Sequence, residues 1–291
     1  MSSPASPTRI TTVGVVGCGL MGGGIAQVCA ASCFATIVCE LNEEALASGM
    51  KRLETKVRGG VARGKLSEDD GKAVLERLTA TMSLEDLRGC DLVVEAVTET
   101  LAAKRAVFEQ LDGVCGGETI FASNTSSLSI TEMAVATGRP ERFVGLHFFN
   151  PVPVMALVEV VHTMLTSEQV VATAVNFGER LGKTPVLVKD RTGFVVNRLL
   201  VPYLLEAVRA LEEGLASAED IDRAMQLGCG YPMGPFTLLD YVGLDTTLYI
   251  AGIMYEEFRQ PQHAVPPLLK RMVLAGRLGR KSGRGFYRYQ D

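Results

Sequence analysis

Apolar and polar positions fall into blocks along the first two thirds of the chain, and the period of the blocks switches back and forth. Short, mostly apolar runs without alternation recur at Val13-Gly14-Val15-Val16, Thr36-Ile37-Val38-Cys39, 91–97 and 119–124. That is the pattern of strands buried on both faces. Between them the apolar residues take helical spacing, over 25–30, 43–63 and 101–111. Ser67-Glu68-Asp69-Asp70 reads as the cap and acidic first turn of another helix, ending near Arg77. Strands alternating with helices at this interval predict a parallel, doubly wound sheet. Two further strands, 142–148 and 154–161, are joined by Phe149-Asn150-Pro151-Val152-Pro153. So short and proline-punctuated a link predicts neighbours, as an antiparallel hairpin added to the sheet. A helix over 167–181 and a strand over 184–188 complete this part, with a boundary between 190 and 193.

Beyond residue 192 no strand pattern recurs, and Phe194, Leu199, Tyr203, Leu204, Val208 and Leu211 follow helical spacing. Pro202 within that stretch removes a hydrogen bond and predicts a kink. Gly214 ends the helix, and Ser217-Ala218-Glu219-Asp220 opens another. Tyr231-Pro232-Met233-Gly234-Pro235 marks a turn, helices follow through 258 and over 266–275, and 281–289 is a glycine-broken tail. The fold class is therefore α/β: a Rossmann-like, doubly wound, mostly parallel sheet over 1–190, followed by a smaller all-α domain over 191–291. A length of 291 residues suits two domains, each able to bury its own core.

Composition narrows the function classes. A net charge of −4 argues against a general nucleic-acid surface. Residues 10–39 hold no charged side chain and no histidine, yet glycines interrupt them, whereas a membrane span needs about 20 apolar residues in one continuous helix. The Ser/Pro-rich stretch 1–9 lacks an apolar core of the signal-peptide kind and reads as disordered. Cys18, Cys29, Cys33, Cys39, Cys90, Cys115 and Cys229 form no C-x-x-C pair and have no histidine at ligand spacing. They read as small buried hydrophobes in a reducing, cytoplasmic setting, with no metal site. Cys18 stands at a helix start, which would favour a thiolate, or simply fills a loop position.

Chemistry concentrates in a few places. Gly17-Cys18-Gly19-Leu20-Met21-Gly22 follows the first strand and opens the first helix. In such a turn the first glycine takes the bend, the second leaves room for a pyrophosphate and the third packs helix on strand. Glu40 ends the second strand, 18 residues past Gly22, where an acid meets adenosine ribose hydroxyls. It would repel a 2′-phosphate, and Leu41 and Asn42 supply no arginine, so NAD is expected over NADP. Lys51, Arg52, Lys56, Arg58, Arg63 and Lys65 crowd one segment that holds a single acid, Glu54. This is either a solvated helix face or a receiver for a polyanionic substrate. Thr98-Glu99 and Asn124-Thr125-Ser126-Ser127 fall at strand ends, on the ligand-binding edge of such a sheet; Ser126 is either a helix cap or a substrate contact. Of three histidines, His147 lies late in an apolar strand, where Glu159 of the adjoining strand is placed to oppose it. It is either a satisfied core histidine or a general base, since imidazole titrates in the range that proton transfer from an alcohol needs.

Six ordered motifs, spread from about Ile10 to Tyr289, carry a resemblance: the glycine turn with Met21; Ser123-Asn124-Thr125-Ser126-Ser127-Leu128; 147–155; 157–161; Gly193-Phe194-Val195-Val196-Asn197-Arg198; and Tyr231-Pro232-Met233-Gly234-Pro235-Phe236. Together the chain resembles the 3-hydroxyacyl-CoA dehydrogenase family, of 3-hydroxybutyryl-CoA type. The resemblance implies NAD-dependent, reversible oxidation of (S)-3-hydroxyacyl-CoA to 3-ketoacyl-CoA by a homodimer paired through its helical domains. It makes His147 the base, Glu159 its orienting partner, and Ser126 and Asn197 hydrogen-bonding partners of the substrate oxygens and the histidine. It places Gly17, Gly19, Leu20, Met21, Gly22, Glu40, Glu99, Lys104, Ser126, Asn150 and Lys281 at the NAD site, and Lys51 and Lys56 on the coenzyme A phosphates. Ala156, Thr192 and Thr237 depart from the usual pattern, which has lysine, proline and an acid there, but none removes a catalytic group. The competing readings are another β-hydroxyacid dehydrogenase, of a class using lysine as base, and a non-catalytic NAD- or CoA-binding structural protein. Asn197-Arg198 where that lysine would stand weighs against the first, and the complete Ser126, His147, Glu159, Asn197 set against the second.

Overall fold

The uncharged run at the start folds as strand β1 (Thr12–Val16), the glycine turn, helix α1 (Leu20–Ala31) and strand β2 (Ala35–Cys39). The structure, a computed structural model, describes residues 6–289, and its chain divides into two units between Arg191 and Thr192. The expectation for the N-terminal stretch falls partly outside the described residues; within them, Thr8 donates its N–H to Thr173 Oγ1 at 2.9 Å. Arg180 likewise holds the Ile10 carbonyl at 2.7 Å, so the chain is anchored at Thr8, inside the stretch where disorder was expected, and again just past it.

The first unit continues through α2 (Glu43–Ala62), α3 (Glu68–Glu76), β3 (Leu78–Thr81), β4 (Leu92–Glu95), α4 (Leu101–Val114), β5 (Ile120–Ser123), α5 (Ile130–Ala134), β6 (Phe143–Phe148), β7 (Leu157–His162), α6 (Glu168–Arg180) and β8 (Thr184–Lys189). The eight strands form one sheet in the order β3-β2-β1-β4-β5-β6-β7-β8. All neighbours are parallel except β6 and β7, the antiparallel hairpin. The order reverses direction at β1 and β4, and ligands of such sheets bind at that switch, outside the carboxyl ends of the strands.

Helix starts follow local capping. Asn42, Ser67 and Ser167 each accept an N–H from the first turn of α2, α3 and α6. The N-cap of α5 is Ser129, and the start of the helix is also held by the Asp190 carboxylate, which accepts the Ile130 and Thr131 N–H groups at 3.1 and 2.8 Å. Helices cover both faces of the sheet. On one, α1 and α6 cover Val15, Val94 and Leu146, with Phe34 against Phe177 at 5.1 Å; on the other, Phe108 of α4 meets Phe143 edge-on at 4.5 Å.

The second unit contains α7 (Val196–Glu212), α8 (Ala218–Cys229), α9 (Pro235–Val242), α10 (Leu244–Phe258) and α11 (Pro267–Leu274). Helix α7 runs on through Pro202 to Glu212, and Gly214, whose φ is 73°, follows its C-cap Glu213. Leu204, Val208, Phe236, Leu239, Met254 and Leu269 form its core. Two buried carboxylates organise the rest. Asp222 accepts the N–H groups of Phe236 and Thr237 at 2.7 and 2.9 Å and the hydroxyls of Thr237 and Tyr287 at 2.6 and 3.0 Å. Thr237, one of the departures from the family pattern, thus secures the entry of α9. Asp240 takes the Phe286 and Tyr287 amides and the Tyr289 hydroxyl, all at 2.9 Å, and so binds the tail against α9.

No two cysteines are bonded to each other; Cys18, Cys29, Cys39, Cys90 and Cys115 are buried, as expected, whereas Cys33 and Cys229 are exposed. Among the described residues no helix is long and apolar enough to cross a membrane. Nor does any group of three or more His, Cys, Asp or Glu stand where it could hold a metal ion.

Candidate active site

At the end of β1 the chain bends through Gly17, whose φ of 98° favours glycine, and donates the Gly17 N–H to the Cys39 carbonyl at 2.8 Å. Gly19 then caps α1, so the helix N-terminus opens directly onto the turn. A Cβ on Gly22 would strike the Gly17 carbonyl oxygen, while one on Gly19 would meet nothing within 4 Å. Glycine is therefore required at position 22 for helix-on-turn packing, and position 19 leaves open space beside the amides. That is the division of labour a pyrophosphate cradle needs. Glu40, just past β2, turns its carboxylate to the cradle and accepts the Cys18 N–H at 3.1 Å. The residues present thus fit an adenine dinucleotide with free ribose hydroxyls. Cys18 is buried, and its thiol is pushed up mainly by that burial, with Arg52 opposing and Glu40 adding to the effect, so it fills the loop and is no activated nucleophile.

At the ends of β4 and β5 lies a network that the sequence showed only in part. Glu95, fully buried, accepts the Lys104 ammonium and the Val97 N–H at 2.7 Å each and the Ser123 hydroxyl at 2.6 Å. Lys104 in turn lies 3.1 Å from Glu99. The other oxygen of Glu99 accepts the Thr125 hydroxyl at 2.6 Å and the Ser126 N–H at 2.8 Å. Lys104, expected to line the cofactor site, is only 1% exposed and braces Glu99. Neither Glu95 nor Ser123 was singled out as a site residue. The available signal was a carboxylate inside an otherwise apolar strand, which must find a partner.

Burial alone would raise the Glu99 carboxyl, but the Lys104 ammonium, the Thr125 hydroxyl and the Ser126 amide together outweigh it and hold the group below the ordinary glutamate range. A carboxyl lowered by folding adds stability above its unfolded value, about pH 4.3, and loses it as pH falls through the folded value. Thermal melts taken downward from about pH 6 should therefore steepen below about pH 4.3, and Glu99→Gln should flatten that limb.

The hairpin places the third cluster. His147 and Glu159 are direct partners in the β6/β7 register, and Nδ1 lies 2.6 Å from Glu159 Oε2 with both side chains buried. A carboxylate only accepts, so Nδ1 carries the proton of this contact, and in a neutral ring Nε2 would be the acceptor. Phe149 packs on the imidazole with ring centroids 4.4 Å apart, and Asn124 Oδ1 takes the Phe148 N–H at 3.0 Å, tying the end of β5 to the end of β6. The fold thus joins His147 to Glu159, and Glu99 to Lys104 and Ser126, with both groups at the carboxyl edge of β4, β5 and β6.

The remaining expected residues stand as follows. Asn150 is exposed just past β6. Lys51 and Lys56 are exposed on α2, where Arg58 is paired with Glu54 at 2.7 Å. Asn197 lies in the first turn of α7, and Lys281, near the C-terminus, donates to Asp245 at 2.6 Å; both belong to the helical unit.

Comparison with known proteins identifies the family. Family profiles described as "3-hydroxyacyl-CoA dehydrogenase, NAD binding domain" and "3-hydroxyacyl-CoA dehydrogenase, C-terminal domain" match residues 12–191 and 193–289. The chain is 49% identical over 282 residues to a 3-hydroxybutyryl-CoA dehydrogenase of Mycobacterium tuberculosis, covering 96% of this chain and 99% of the relative. It is 48% identical over 297 residues to the human mitochondrial hydroxyacyl-coenzyme A dehydrogenase, covering 99% of this chain and 94% of that one. The crystal structure of (S)-3-hydroxybutyryl-CoA dehydrogenase from Ralstonia eutropha superposes with a TM-score of 0.94 at 44% identity, over 97% of this chain and all of the other. A glycine turn with an acid hydrogen-bonded to it, a histidine backed by a carboxylate at the same sheet edge, and these matches over nearly the whole length lead to one assignment: the chain belongs to the 3-hydroxyacyl-CoA dehydrogenase family and is an NAD-dependent oxidoreductase.

Proposed function

We propose that the chain catalyses the reversible oxidation of (S)-3-hydroxyacyl-CoA, foremost 3-hydroxybutyryl-CoA, to 3-ketoacyl-CoA, with His147 as general base. The observation that carries this reading is the 2.6 Å contact of His147 with Glu159 at the carboxyl edge of a dinucleotide-binding sheet. NAD, when bound, supplies the acceptor for the hydride that leaves the substrate's third carbon. His147 takes the hydroxyl proton at Nε2, and Glu159 stabilises the imidazolium that results. In the reverse direction the same nitrogen returns the proton to the oxygen. Ser126 and Asn197 hydrogen-bond the substrate, and Glu40 binds the adenosine ribose. Glu99, braced by Lys104, lines the cofactor site together with Asn150 and Lys281. Lys51 and Lys56, exposed on α2, bind the coenzyme A phosphates.

Homodimerisation through the helical unit is supported by its exposed Leu199, Leu227 and Tyr241, and seven unbonded cysteines suit the cytoplasm. The purified protein should oxidise NADH with acetoacetyl-CoA and reduce NAD with (S)-3-hydroxybutyryl-CoA, and rates compared from C4 to C12 in both directions read its acyl preference. Absence of turnover in both directions, in a protein that binds NADH, would reject the proposed reaction.

A further inference from the structure

Helix α2 approaches the glycine turn so closely at Gly49 that a Cβ there would collide with the Cys18 side chain and carbonyl. One turn along the helix, Arg52 exploits that approach. Its Nη1 donates to Ser48 Oγ at 2.6 Å, and its Nη2 to the Cys18 carbonyl oxygen at 3.1 Å. Glu40 holds the other end of the same residue, through the Cys18 N–H at 3.1 Å. A guanidinium and a carboxylate thus flank one residue of the cradle, and the buried Cys18 thiol feels both charges in opposite senses. Directly after β2 stand Leu41 and Asn42, with no phosphate-binding arginine. The cation comes from the next helix instead.

We propose that Arg52 is a specificity-determining residue for the dinucleotide, a cation set beside the adenosine ribose corner, so that Glu40 alone keeps a 2′-phosphorylated cofactor out. This rests on Glu40 as the ribose ligand. The physical basis is an exchange of partners. At present Arg52 donates to a hydroxyl and a carbonyl, both neutral. A 2′-phosphate would offer charged oxygens in a geometry that matches the planar guanidinium fork, and charge-assisted bonds are about twice as strong as neutral ones. With the acid in place, its repulsion opposes that gain. With the acid removed, that opposition is gone.

The test is fluorescence titration of the full chain with NADH and with NADPH, which reads binding independently of turnover. The unaltered protein should bind NADH far more tightly than NADPH. Glu40→Ser should tighten NADPH binding at least tenfold, with the gain shrinking as salt is added. Adding Arg52→Met should cancel the gain. Adding Arg58→Met, which removes the same charge from the same helix where the guanidinium is already paired with Glu54, should preserve it. If circular dichroism shows Glu40→Ser unfolded, Glu40→Gln takes its place. No gain in the single variant, or a gain that survives Arg52→Met, would overturn the proposal. An unaltered protein that binds neither nucleotide would overturn the ribose reading along with it. One that binds NADH but turns over no acyl-CoA would count against the proposed reaction only, leaving the titrations to decide the role of Arg52.

Discussion

Replacing His147 by glutamine is expected to slow acetoacetyl-CoA reduction by roughly 10²–10⁴-fold, the usual cost of losing a general acid–base group. Glutamine has about the length to keep a contact with Glu159, but its amide cannot carry the proton between oxygen and solvent. The loss should therefore appear in kcat, while NADH binding, measured by fluorescence titration, stays within about twofold because the cradle is built from other strands. The geometry behind this expectation is closely determined. His147 and Glu159 face one another only because β6 and β7 are antiparallel in a register that makes them direct partners. A one-residue slip would send one of the two side chains to the opposite face of the sheet.

Lys104→Met should bring the largest loss of stability, about 3–5 kcal/mol, because it strands Glu95 as an uncompensated buried charge. The pair is enclosed: both side chains are at most 1% exposed, with nitrogen and oxygen 2.7 Å apart. For a unit of this size that corresponds to a fall of roughly 10 °C or more in Tm. The damage should extend to the cofactor site, since Glu99 loses its cation and with it part of its hold on Thr125 and Ser126. The double variant Glu95→Gln/Lys104→Met separates charge from packing. Removing both charges should recover much of the stability, because a buried ion pair replaced as a whole is often close to neutral. Differential scanning calorimetry of the three proteins reads the comparison, and a single variant as stable as the unaltered chain would show that the buried charge has another partner.

What the sequence disclosed and what it withheld follow from the range of the interactions involved. Strands β1, β2, β4 and β5 were legible because strands buried on both faces leave unbroken apolar runs. The glycine turn was legible because its requirements are local: one positive φ and one close approach, both within six residues. The His147–Glu159 partnership was legible because a short proline-punctuated link left a hairpin as the natural connection. Strand β3 was missed: it is a four-residue edge strand, only half-buried, with Thr79 and Thr81 in place of an apolar run. Helix α5 is only five residues long, too short to show a helical period; Ser129 caps it locally and Asp190, some sixty residues further along the chain, also holds its start. Arg52 and Glu95 share a different obscurity. One looks like part of a charge run on a solvated helix, the other like a polar punctuation mark at a strand end. Only tertiary packing shows that the first grips the Cys18 carbonyl and the second receives a buried ammonium.

The central claim is that the Nε2 of His147 receives the alcohol's proton while Glu159 holds Nδ1. It is tested most directly by the distance from that nitrogen to the substrate's 3-oxygen in a crystal of the full chain with NAD and acetoacetyl-CoA. A separation of about 2.6–3.2 Å, with the Glu159 contact intact, is the expected result. An imidazole turned away from the oxygen, with another side chain in hydrogen-bond contact with it, would contradict the assignment.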